Sequence, residues 1–107
     1  MNTIIHIGDI GTGFELEIVT PKGEIVNVSE AVSLTINFMR PNKTKVAKTA
    51  SLSTDGSDGK IQYISQKDDI DAIGLWSMMG FVKFDESNMF YSRKTDFVVY
   101  PNIAPDV

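Results

Sequence analysis

The chain has 107 residues, no cysteine and a formal net charge of −4, with 42% hydrophobic and 22% charged residues. That is one domain, residues 1–107, able to bury roughly 60–68% of the surface its unfolded chain exposes, and too apolar to be disordered. The missing cysteines exclude disulfides, thiol chemistry and cysteine-ligated zinc, and the acidic balance argues against a nucleic-acid partner, which needs clustered Lys and Arg.

The opening stretch, Met1 to Asp9, has no basic region followed by an apolar core, so it does not read as a signal peptide. No run approaches the ~20 apolar residues of a membrane span. The expectation is a chain made in the cytoplasm, with no membrane partner.

Thr3 to Ile7 is short and β-branched and reads as an edge strand. Gly11-Thr-Gly13 is a turn before a strand rather than before a helix, which argues against a nucleotide loop. Phe14, Leu16 and Ile18 then alternate with polar positions, the period of a half-buried strand. Thr20-Pro-Lys-Gly23 is a turn, with proline and glycine in its second and last places. Residues 29–32 read as a loop with at most one helical turn. Val32, Leu34, Ile36 and Phe38 form the cleanest apolar face in the chain, closed by Arg40-Pro-Asn-Lys43.

Val46 to Leu52 is a weak strand without a consistent face. Ser53 to Gly59 is the most turn-rich stretch, followed by a strand with Ile61, Tyr63 and Ser65 on one side. Gln66 to Ala72 is an acidic connection. Gly74 to Phe84 is the longest apolar run, holds the only tryptophan, Trp76, and is expected to be the central strand with Trp76 plugging the core. On alternation, Trp76, Met78, Val82 and Phe84 share one face, and Leu75, Met79 and Phe81 the other. A strand apolar on both faces is covered on both sides or lies at an interface. Gly80 in its middle marks a bulge or a close backbone approach. Asp85 to Asn88 is a turn, Met89 to Arg93 is extended, and Thr95 to Tyr100 closes the sheet with Phe97 and Val99 on one face. Residues 101–107 read as a frayed tail. Seven to eight short strands with turns at regular spacing, and no helical period, predict an all-β fold, an antiparallel immunoglobulin-like β-sandwich.

No set of residues carries chemistry. His6 is the only histidine, reads as a surface or satisfied side chain, and has no nucleophile beside it. Asp55, Ser57, Asp58 and Gly59 faintly suggest a calcium loop, but position 12 is Gln66 and the glycines fall wrongly, so a hairpin turn is expected. Asp68, Asp69 and Asp71 read as a solvated turn, and Lys43, Lys45 and Lys48 as a solvated hairpin tip. No catalytic, metal or cofactor site follows, and the chain is not expected to be an enzyme.

Four stretches together resemble one known family. They are Gly8 to Ile18, Ala31 to Lys43, Gly59 to Tyr63 with Asp69 to Trp76, and Ser92 to Pro101. The family is the N-terminal immunoglobulin-like domain of phage baseplate upper proteins, the BppU-like modules of phage tails. Asn42-Lys43 departs from the family's Asp-Gly turn, and Gly80 stands where a large apolar residue is usual. The resemblance implies a virion structural protein, a tail, baseplate or fibre-attachment module that docks to other virion proteins and to copies of itself as a trimer or hexamer. The alternatives are a capsid decoration protein of the same fold, or a cellular carbohydrate-binding or adhesion-type sandwich using Tyr63, Tyr91 and Tyr100 as an aromatic platform.

Overall fold

The computed structural model of the chain describes residues 5–102. These form nine strands and no helix: β1 (Ile5–His6), β2 (Gly13–Glu17), β3 (Ser33–Met39), β4 (Lys45–Thr49), β5 (Ser51–Leu52), β6 (Lys60–Ile64), β7 (Gly74–Asp85), β8 (Asn88–Tyr91) and β9 (Thr95–Tyr100). Six make one sheet in the order β1-β9-β7-β3-β4, with β8 also on β7, and three make a second in the order β2-β6-β5. Every pairing is antiparallel except that of β1 with β9. Of the expected edge strand, Ile5 and His6 pair with Val99 and Tyr100; Thr3 and Ile4 lie outside the described residues, as does the tail from residue 103.

The two sheets close on one core. Phe14 of β2 sits 5.1 Å, ring to ring, from both Phe38 of β3 and Phe97 of β9, and Trp76 stacks on Phe97 at 5.8 Å. Beyond this aromatic end the core is aliphatic. Ile18, Ile36, Ile61, Val82 and Val99 are fully buried, and each contributes about 1.5–3 kcal/mol relative to exposure. Trp76 is only 2% exposed, and its Nε1–H donates to the Ala72 carbonyl at 2.9 Å. It therefore plugs the aromatic end of the core, while the deepest layer is built by isoleucine and valine.

Period-2 alternation holds along β2, β6, β7 and β9, where the expected inner residues are buried or half-buried. Val32 breaks the pattern expected of it and is 73% exposed. Strand pairing starts at Ser33, and the face is covered only from Leu34 onward. The segment read as one weak strand, Val46 to Leu52, is two. β4 pairs with β3 in the large sheet, the chain turns at buried Ala50, and β5 pairs with β6 in the small one. A strand that changes sheets changes which side is inner, so no single face could be read from it.

Gly80 is a close approach and not a bulge of its own strand. A Cβ there would stand 3.0 Å from Ile61 Cδ1 of the opposite sheet. The irregularity lies in the partner. From Met78 to Phe81 β7 takes three steps, where its partner takes four from Thr95 to Tyr91, so an extra residue is accommodated at 92–94. Ser92 fills that gap: its Oγ accepts from the Gly80 N–H at 2.7 Å, and its N–H donates to the Gly80 carbonyl at 2.9 Å. The turns at 29–32 and 66–72 are isolated i,i+3 turns, with Ala31 N–H on Val28 O and Asp69 N–H on Gln66 O.

Candidate docking surface

β7 is the spine of the large sheet, with β3 on one side and β8 and β9 on the other. Because side chains alternate, burying Trp76, Met78 and Val82 turns Leu75, Ser77, Met79, Phe81 and Lys83 outward. The register sets their neighbours. Leu75 lies beside Val98, and Phe81 beside Tyr91 and Thr35. Met79 lies beside Asn37, and Ser77 beside Met39 and Asp96. The result is two apolar patches on one face. One holds Leu75, 57% exposed, with Val98 and with Tyr100, 47% exposed. The other holds Phe81 packed 5.0 Å from the ring of Tyr91, itself 60% exposed, with Met89 beside Lys83.

A polar bar divides the patches. The Ser77 hydroxyl donates to Asp96 Oδ1 at 2.8 Å, and Lys94 Nζ stands 3.9 Å from the same oxygen. Ser77 is buried although it faces outward, so the bar lies low. Next to it is an open depression lined by Asn37, Met39, Lys45, Met79 and Lys94. This face is the candidate docking surface, because contiguous exposed apolar groups are the feature that a contact would cover.

The residues considered for chemistry lie elsewhere and do not converge. His6 packs its ring 6.5 Å from Tyr100, and its backbone N–H donates to Asp9 at 3.0 Å. Among the described residues no group of three or more His, Cys, Asp or Glu is placed to hold a metal. Asp55 accepts from Ser57, and Asp58 from Thr54 and the Lys60 N–H, so these carboxylates brace their own turn.

Asp68 and Asp71 of the acidic turn are exposed as expected, and so are Lys43 and Lys45 of the hairpin tip, but Asp69 and Lys48 are partly buried against each other. Lys48 is on the inner side of β4, where its ammonium reaches Asp69 at 3.0 Å. Asp69 also accepts from the Tyr63 hydroxyl and from the Gln66 N–H at 2.6 Å. Burial pushes the Asp69 carboxyl up, but the bonds from Tyr63, Gln66 and Lys48 outweigh it, and its pKa lies below the ordinary carboxylate value. Burial, then the bond to Asp69 and its charge, push the Tyr63 phenol up to about 12. Asp71 pairs with Arg40 at 2.9 Å, and the Arg40 guanidinium lies 5.8 Å from the Trp76 ring. These two pairs form a latch over the aromatic end of the core. The partners are 21 and 31 residues apart in the chain, so no local pattern announces them.

Tyr63 is thereby committed to the latch. Tyr91 and Tyr100 share the outer face but stand nine residues apart along nearly continuous extended chain, roughly 30 Å. One sugar ring cannot span both.

No protein-family model matches the chain, and no curated protein matches it.

Proposed function

We propose that this chain is a structural module of a phage virion, part of a tail, baseplate or fibre attachment, which docks to neighbouring subunits and to copies of itself and catalyses no reaction. The observation that carries the reading is the outer face of β7 and its neighbours, where Leu75, Val98, Tyr100, Phe81, Tyr91 and Met89 leave two apolar patches open to solvent. Contiguous exposed apolar groups favour a contact, and one that buries on the order of 1,200–2,000 Å² in total would cover this face.

The immunoglobulin-like part of the reading rests on strand order. Lettered along the chain, β2, β6 and β5 take the places of B, E and D, and β9, β7, β3 and β4 those of G, F, C and C′ in a variable-type sandwich. The sequence resemblance to the baseplate upper modules runs over the same strands and supplies the virion setting.

Peptide mass spectrometry of purified phage particles from the source strain, with copy number per particle, tests the reading. Presence at a multiple of three or six is expected. Absence from clean particles overturns it.

A further inference from the structure

Two strands present a long unpaired edge, and they carry opposite charge. Among the described residues β2, in the small sheet, pairs only with β6, and β4, in the large sheet, only with β3. Each is five residues long, and the other free edges among the described residues are shorter, the longest being Thr95–Val98 of β9 and the four residues of β8. The Ile18 N–H donates to Gly59 O and the Ser65 N–H to Thr12 O, so even-numbered residues of β2 bond towards β6. The main-chain groups of Glu15 and Glu17 therefore point away from the sheet. By the same alternation, Arg40 N–H on Thr44 O and Ala50 N–H on Leu34 O turn the main-chain groups of Lys45, Ala47 and Thr49 to the free edge of β4. Lys43 adds a second cation at the β3–β4 turn.

Among the described residues, Glu15, Glu17, Lys43 and Lys45 close no ion pair, even though Lys60 is registered directly opposite Glu17. All four are exposed. Among the described residues the β2 edge is accessible: β1 covers that side of the sandwich only at Ile5–His6, and an open trough lined by Glu15, Glu17, Val19, Ser92, Arg93 and Thr95 continues along it.

We propose that copies of this chain associate head to tail, the β4 edge of one copy adding as an antiparallel strand to the β2 edge of the next. The proposal rests on the docking reading and names one partner for it, a second copy. Charge selects this pairing over the alternatives. Two β2 edges would set glutamates against glutamates and two β4 edges lysines against lysines, whereas β2 against β4 sets Glu15 opposite Lys45 and Glu17 near Lys43. The residues with free main-chain groups on both strands are also those with outward side chains, so the pairing brings the two charge rows to one face. An edge that meets a different edge leaves one free at each end, so the association propagates until it closes. In this register only residues 13–15 of β2 and 45–47 of β4 overlap as strand, with Glu17 reaching the turn at Lys43, so the contact buries less than a standard interface, is weak in dilute solution and is strengthened where copies are held together on a particle.

Sedimentation velocity of the purified chain over a range of concentration and salt tests this. Wild type should associate at high concentration and less as salt rises. Glu15→Lys with Glu17→Lys, and separately Lys43→Glu with Lys45→Glu, should each weaken association by at least about tenfold while circular dichroism shows the fold kept. An equimolar mixture of the two variants should associate again, because each then offers an edge the other lacks. Wild type monomeric throughout, variants that associate like wild type, or a mixture that stays monomeric would each overturn the proposal. A monomeric chain that is nonetheless found in particles sinks the edge pairing and leaves the docking reading standing; an associating chain absent from particles does the reverse.

Discussion

The two faces of β7 are built from the same kinds of residue and do opposite things. Inward are Trp76, Met78, Gly80 and Val82; outward are Leu75, Met79 and Phe81. Residue type alone does not separate them. What separates them is the small sheet, which lies over one face and leaves the other open. An apolar residue in a strand is therefore core only when the topology supplies a second layer, and the surplus on the other face is left to solvent within the single chain.

The largest expected difference between the faces is in stability. Trp76→Ala should cost about 3–5 kcal/mol in urea unfolding, because it empties the space against Phe97 and orphans the Ala72 carbonyl. A variant as stable as wild type would remove Trp76 from the core. Gly80→Val comes next, at about 1–3 kcal/mol, since its added carbons meet Ile61 and Ser92. An unchanged denaturation midpoint would mean the sheets can part there at no cost.

On the outer face, Phe81→Asp should cost only about 1 kcal/mol, the worth of its pairing with Tyr91, yet abolish incorporation into particles. If the chain unfolds instead, Phe81 belongs to the core and the contrast between the faces collapses. The smallest effect is in the latch. The Asp69 pKa is lowered in the folded state, so its stabilisation is fully present above the unfolded value of about 3.9 and is lost as pH falls below it. Thermal melts from pH 6 down to pH 2.5 should show a smaller acid-induced drop in Tm for Asp69→Asn than for wild type. Equal drops would assign the acid sensitivity to other carboxylates.

Much of this was legible from residues alone. Alternation placed Phe14, Leu16, Ile61, Trp76, Phe97 and Val99 on their correct sides, because a period of two is fixed by the backbone. Thr20 to Gly23 closes as expected, with the Gly23 N–H on the Thr20 carbonyl. The outer apolar face was visible as a strand apolar on both sides. What stayed hidden depends on distant chain. The Lys48–Asp69 and Arg40–Asp71 pairs, the Ser77–Asp96 bar and the seating of Ser92 against Gly80 join residues between 12 and 31 positions apart. The strand change at Ala50 was seen only as a spoiled pattern, since alternation cannot describe a chain that crosses between layers.

The glycine- and serine-rich loop from Ser53 to Gly59 has a consequence for anyone who would label or extend this molecule. Its composition invites insertion, but it is a seal. At Gly56 a Cβ would come within 2.7 Å of Ser29 main-chain atoms, at Gly59 within 2.8 Å of the Val26 carbonyl, and the Gly56 carbonyl holds the Val28 N–H at 2.8 Å. Val28 beneath it is fully buried. The slack lies at the Asp85–Asn88 tip, whose side chains bond mainly to one another and to Lys83. A fluorophore or affinity tag belongs there, between Glu86 and Ser87, while the loop that looks most permissive would transmit the same graft straight into the floor of the barrel of side chains it closes.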